Sequence, residues 1–352
     1  MLKIGVLLGD DIGLEVVPEA VKVMQAAAAR SRLEIGWQEL PIGRAGHEQH
    51  GHTMPDFTVS ALAGTHGWIC GPIGHGSYPR GDATWIMPPL RKRFELYASV
   101  KPVRSYENVR SLHKNVDLIF LREVTEGMQS SDTVVAGTGE YRPNDDITVA
   151  YRIITRHGSS RVARAAFEIA RAQKRRKVTA VHKEPVYRLA CGMFAEECRK
   201  VAQEFADIEY DEALVDGFAM KLMMDPSRYD VVVTTNQFGD ILTDQGAGLV
   251  GGLGLAPGLC IGDTQAMAQA THGSAPDIAG RNIANPCAMI MSGAMLLEWL
   301  GRKRGEARAV DAAHAIARAV EEIIAEGRHL TPDLGGTAGT REMGDAIAAR
   351  CS

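Results

Sequence analysis

"YDVVVTTNQFGDILTDQGAGLVGGLG", residues 229–254, reads as a buried strand that runs directly into a helix. Asp240 and Asp244 follow the apolar run at i, i+4, which places both carboxylates on one face of the first turn of that helix. The same alternation recurs along the chain. "KIGVLLGD" precedes "EVVPEAVKVMQAAAARS", and "KVTAVHK" precedes "PVYRLACGMFAEECRKVAQEF". Short apolar runs alternating with amphipathic stretches are the signature of an α/β protein with a largely parallel sheet. The last hundred residues add "NPCAMIMSGAMLLEWLG" and "ARAVDAAHAIARAVEEIIAEG", two helices with wide apolar faces.

Two neighbouring carboxylates repel each other unless a positive charge lies between them. Mg²⁺ and Mn²⁺ are hard, oxygen-seeking cations that suit Asp240 and Asp244. Asp216, in "YDEALVDGFAMKLMMDP", is a third possible ligand on another helix. The alternative is that Asp240 and Asp244 simply favour the positive end of the helix dipole.

At 352 residues the chain exceeds what one core usually serves, so two lobes are expected. Hydrophobic residues make up 45% and charged residues 23%, ordinary for a globular protein. The net charge of -4 argues against nucleic acid, and "RAQKRRK" at 171–177 reads as a solvated helix end. No apolar run approaches a membrane span, and "MLKIGVLLGDDIG" reads as a first buried strand. The six cysteines show no CxxC spacing and suit buried free thiols in a reducing cytoplasm. Gly and Pro cluster at 71–89 and 246–258, where the backbone must bend or approach something closely.

Three cations adjoin apolar runs: Arg91 and Lys101 in "PLRKRFELYASVKP", and Arg122 in "LREVTEG". Together they could grip a di- or tricarboxylate; surface charge is the plainer reading of each alone. Lys183 ends the strand "KVTAVHK", where α/β sheets usually bind ligands. Pro185 suits the first turn of the following helix. A desolvated lysine beside a metal would have its pKa lowered and could serve as a general base.

"GDDIGLEV", "LRKRFELYASVKPVR", "LREVTEG", "AVHK", "VDGFAMKLMMDPSRYDVVVTTNQFGDILTD" and "HGSAPDIAGRNIANP", taken in order, resemble the metal-dependent β-decarboxylating dehydrogenases acting on isocitrate, 3-isopropylmalate, homoisocitrate, tartrate and D-malate. The resemblance implies a two-lobed α/β fold with a mixed, largely parallel sheet and a cleft between lobes. Residues 1–100 with 250–352 would bind the cofactor, and 101–249 substrate, metal and a second subunit. It implies Asp216, Asp240 and Asp244 as metal ligands and Lys183 as base, with Asp216 and Lys183 supplied by the partner in a homodimer. Arg91, Lys101 and Arg122 match substrate-carboxylate cations, although Lys101 lacks the arginine fork. His272, Gly273, Ser274, Ala275, Asp277 and Ile278 match the cofactor loop and Asn285 the adenine contact. Asp277 followed by Ile278 is the NAD-type pattern, because a carboxylate accepts from both ribose hydroxyls and repels a 2′-phosphate.

The chain departs from the pattern at several points. Gln129 stands where the resemblance implies the tyrosine that protonates the enolate, and an amide has no acidic proton near neutral pH. Pro185 replaces an asparagine, Gln269 a glutamate, and Asp11 and Leu14 a glycine and a proline. Tyr187, four residues past Lys183, is an alternative proton donor. Trp85 and Met87 precede Arg91 where the substrate's 3-substituent is read, and their apolar character favours a 3-alkylmalate. The expected activity is NAD- and Mg²⁺- or Mn²⁺-dependent oxidation of a 2-hydroxy-3-carboxy acid, with β-decarboxylation. A D-malate or tartrate enzyme, or a non-catalytic regulatory subunit, is the alternative.

Overall fold

The computed structural model describes residues 1–74, 78, 86–133 and 139–352, with side chains at all of these except 131–133. Met1–Ile86, Ser105–Lys114 and Val250–Ser352 form one compact unit, and Met87–Arg104 with Asn115–Leu249 form another.

Along the chain, the first unit contributes β1 (Leu2–Leu7), α1 (Gly13–Arg30), β2 (Ile35–Glu39), α2 (Gly43–His50), α3 (Asp56–Ala63) and β3 (Gly67–Cys70). The second holds α4 (Met87–Arg93), β4 (Ala98–Arg104), β5 (Asp117–Glu123), β6 (Glu140–Asn144), β7 (Ile147–Ala150), α5 (Arg156–Ala172), β8 (Lys177–His182), α6 (Ala190–Ala202), β9 (Glu209–Leu214), α7 (Val215–Met224), β10 (Val231–Thr234) and α8 (Asn236–Val250). The chain returns to the first unit with β11 (Leu259–Ile261), β12 (Ala266–Ala268), α9 (Cys287–Arg304), α10 (Ala307–Glu326) and α11 (Thr340–Cys351). The expected boundary at residue 100 falls inside β4. That strand pairs with β5 over its whole length, from Ala98 opposite Glu123 to Arg104 opposite Asp117, so it stays with the second unit.

In the first unit the strands run β2-β1-β3-β12-β11, all parallel except the β11–β12 pair. In the second they run β4-β5-β10-β8-β9, with only β4–β5 antiparallel. Strands covered on both faces need apolar residues throughout, and β10 (VVVT) is buried at all four positions. On α10 the buried residues Ala309, Ala312, Ala313, Ile316, Ala319, Val320 and Ile323 recur at three- and four-residue steps, and the helix ends at Gly327 in the left-handed region. The two C-terminal helices expected from sequence are α9 and α10. All six cysteines are buried and free. No described helix is long and apolar enough to cross a membrane.

Candidate active site

Strand register assembles the centre of the second unit. Lys101 on β4 lies opposite Phe120 on β5, and Arg122 follows Phe120 by two residues, so Lys101 and Arg122 share a face of the sheet. On the other side of β5, Arg122 is level with Thr234 at the end of β10, where α8 begins. The guanidinium therefore meets the first turns of α8. Its Nε and Nη2 donate to Asn236 Oδ1 at 3.0 and 2.7 Å, and Nη1 donates to Asp240 Oδ1. Gly239 permits this approach, since a Cβ there would stand 2.6 Å from Arg122 Cγ.

Gln129 joins the pair from the other side. Its Oε1 accepts from Arg122 Nη2 at 3.1 Å and its Nε2 donates to Asp240 Oδ2 at 2.8 Å. Asn236 in turn donates to the Glu126 carbonyl at 2.7 Å and the Ser130 hydroxyl at 3.2 Å. Burial pushes the Asp240 carboxyl up, but Arg122, Gln129 and Lys101 outweigh it and hold it below its usual value. Desolvation, with the charge of Asp240, raises Asp244 despite the pull of Lys101. Desolvation also brings Lys101 down to about 8, reinforced by Arg122 and Arg91, and its ammonium donates to the Thr243 hydroxyl at 3.3 Å. Met87 is buried one turn before Arg91 on α4. Trp85 lies outside the described residues.

Two local expectations are corrected. Asp240 and Asp244 share a face of α8, but the helix starts at Asn236, so neither is in its first turn. A dipole effect fades beyond that turn, which removes the plainer reading of these aspartates. Likewise, Pro185 does not open a helix. Residues 184–189 form turns, with the Val186 and Tyr187 N–H groups bonded to the Lys183 carbonyl, and α6 begins only at Ala190.

Lys183 Nζ donates to Asp216 Oδ1 within the chain, and this holds Asp216 below the usual carboxylate range. Asp216 does not join Asp240 and Asp244. Among the described residues, the one trio close enough to share a cation is His182, Glu184 and Glu212, and Arg199 already pairs with both of its carboxylates. Tyr187 lies beneath the Arg152 guanidinium, 4.9 Å from its ring centroid, and Phe238 lies 4.4 Å away. Arg152 and Asn236 were not legible as site residues. Arg152 sits among apolar residues, in "ITVAYRII" at 147–154, without a motif, and Asn236 reads as an ordinary helix-start residue.

In the first unit, Ser274 is buried and its carbonyl accepts from Ile12 N–H at 3.1 Å, tying the His272–Ile278 loop to the turn after β1. Gly280 N–H, just past the loop, donates to Glu15 at 2.6 Å. Ala275 has φ +44 and Asp11 φ +51. The left-handed conformation at Asp11 explains why the related motif carries glycine there, and aspartate is among the residues that tolerate it. Asp277 is exposed beside Ile278. His272 Nδ1 lies 3.0 Å from the Gly273 carbonyl, while His272 Nε2 and Thr271 Oγ1 are buried without a partner among the described residues. Burial keeps this imidazole below its ordinary pKa. Asn285 accepts from Cys287 N–H at 2.9 Å and donates to Asp333 at 3.0 Å, which fixes its amide at the start of α9.

Residues 3–347 match the family model for isocitrate/isopropylmalate dehydrogenase. The chain belongs to that family. The 3-isopropylmalate dehydrogenase of Archaeoglobus fulgidus is 38% identical over 349 residues, covering 99% of each chain. The homoisocitrate dehydrogenase of Methanocaldococcus jannaschii is 38% identical over 365 residues, covering 99% of this chain and 97% of that one. The crystal structure of isocitrate dehydrogenase from Methylococcus capsulatus superposes with a TM-score of 0.89 at 41% identity, covering 100% and 99%. This family member is accordingly an α/β oxidoreductase related to hydroxy-acid dehydrogenases. Three differently named substrates at nearly equal identity mean that overall similarity does not select among them.

Proposed function

We propose that this chain is an NAD- and Mg²⁺- or Mn²⁺-dependent dehydrogenase that oxidises a 2-hydroxy-3-carboxy acid of the 3-alkylmalate class and releases the 3-carboxylate as CO₂. The arrangement of Arg122, Lys101 and Asp240 carries this assignment, since it sets substrate-gripping cations beside a hard oxygen donor. Asp240 and Asp244 fit a divalent cation, with Asp216 of the partner subunit completing the set. Such a cation supplies Lewis acidity at the 2-hydroxyl oxygen. Arg91, Lys101 and Arg122 hold the substrate carboxylates. Lys183 of the partner subunit would take up the 2-hydroxyl proton at Nζ, and a bound nicotinamide would supply the hydride acceptor. Met87 supports an alkyl 3-substituent.

The buried, unpartnered His272 Nε2 and Thr271 Oγ1 fit a bound dinucleotide, because buried polar atoms without partners are rare in a finished site. The exposed Asp277 would accept from the ribose hydroxyls of a bound NAD and disfavour a 2′-phosphate. Gln129 has no acidic proton, so water protonates the carbanion left after CO₂ loss.

Two features support a homodimer. Met220 and Met224 on α7 and Ile241 on α8 are exposed apolar side chains. β6 and β7 form a separate two-stranded ribbon whose Tyr141 and Ile147 are exposed, and an isolated hairpin of this kind is marginally stable in water. The buried free thiols suit a cytoplasmic setting. Mixing purified protein, NAD and Mn²⁺ with 3-isopropylmalate, other 3-alkylmalates, D-malate, tartrate, isocitrate and homoisocitrate should yield matched NADH and CO₂ on a 3-alkylmalate. Silence across the panel would sink the assignment.

A further inference from the structure

Gln129 occupies both partners that the proposed reaction needs free. Its amide oxygen accepts from Arg122 Nη2 at 3.1 Å, and its amide nitrogen donates to Asp240 Oδ2 at 2.8 Å. The orientation of the amide is fixed by its neighbours, since a guanidinium only donates and a carboxylate only accepts. An amide carries its acceptor and its donors on different atoms, so one side chain bridges the cation and the anion at once. Arg122 is meanwhile held from behind by Asn236, and Asp240 Oδ1 by Arg122 itself. The faces covered by Gln129 are therefore the ones an incoming carboxylate and an incoming cation would compete for.

We propose that Gln129 is a positioning residue that latches Arg122 to Asp240, so that binding of a dicarboxylate and binding of a divalent cation each release the latch for the other. The inference rests on the proposed function and adds a coupling to it. A ligand that enters first must break the two amide bonds. A ligand that enters second finds them already broken and binds more tightly, and the coupling is reciprocal. Direct contact between cation and substrate would also couple them, but it would leave the affinity of either one alone independent of Gln129.

Titration calorimetry without NAD separates these cases, with Mn²⁺ alone, 3-isopropylmalate alone, D-malate alone, and each acid with Mn²⁺. Gln129→Met keeps the side-chain volume and removes both bonds; Gln129→Ala serves as a second variant should the first fold poorly. Each variant should bind Mn²⁺ alone and acid alone roughly five- to tenfold more tightly than wild type, and the factor by which one ligand tightens the other should shrink correspondingly. Unchanged or weaker binding of the single ligands, with wild-type coupling retained, overturns the latch while leaving the proposed function intact. If wild type binds neither Mn²⁺ nor an acid, the proposed function fails first and the latch with it.

Discussion

The second unit carries two ion pairs of the same chemistry in opposite settings. Arg122 shows 8% side-chain exposure and is held by Asn236, Gln129 and Asp240 together. Lys183 and Asp216 show 23% and 68%, and Asp216 faces solvent. A buried guanidinium with all its neighbours in place is preorganised but costly to disturb, whereas an exposed pair is screened, contributes little to stability and is easily reassigned. The contrast separates a guanidinium fixed by several neighbours from a lysine and a carboxylate paired with each other and open to solvent.

The largest effect that could break this contrast is on turnover. Lys183→Ala should lower NADH formation by roughly 10²–10⁴-fold, the usual contribution of a general base, while the melting temperature stays at the wild-type value. Retained activity would remove Lys183 as the base, and a large drop in melting temperature would show that the pair is structural.

Arg122→Ala should do both kinds of damage. It strands Asn236 and Asp240 and should cost about 2–3 kcal/mol in denaturant unfolding, together with substrate affinity. A stability equal to wild type would mean that the buried arrangement is no more committed than the exposed one.

The smallest effect sharpens the contrast through pH. Burial first, and the charge of Glu123 after it, push the Glu126 carboxyl up from 4.5 to about 7. Its side chain accepts from Thr155 N–H at 2.9 Å and from the Thr155 hydroxyl at 2.6 Å, and its carbonyl holds Asn236. A carboxyl raised on folding binds its proton more tightly in the native state. Its contribution to stability is therefore full below pH 4.5 and is lost as pH rises through about 7. Glu126→Gln should relieve this loss, gaining on the order of 2 kcal/mol relative to wild type at pH 8 compared with pH 5. Equal pH slopes for the two proteins would show that Glu126 does not titrate between pH 5 and 8.

Much of the fold was legible because its signals are local. "VVVTT" is a buried strand, Asp240 and Asp244 share a helix face, and α9 and α10 repeat at three and four residues. Of the candidate site groups, Arg91, Lys101, Arg122, Asp240 and Asp244 could be listed from sequence, and all lie in the second unit. Local patterns misled where a short element failed to form. Pro185 has a helix-opening residue type, yet the backbone turns through 184–189 and the regular helix waits until Ala190. Nothing near Asn236 announced a bond to an arginine 114 positions away.

Residue identity and order by themselves determined the α/β class, the family, the inventory of cations and carboxylates and the absence of a phenol at position 129. Each of these depends on side-chain chemistry and short-range periodicity, which a sequence carries directly. Only tertiary structure decided which groups meet: that Lys101 and Arg122 share a face, that Gln129 spans Arg122 and Asp240, and that Lys183 pairs with Asp216. Those meetings depend on strand register, and a one-residue slip of β5 against β4 and β10 would turn Arg122 to the opposite face of the sheet. Register is set by pairing and burial across distant segments, so no single stretch of the chain contains it.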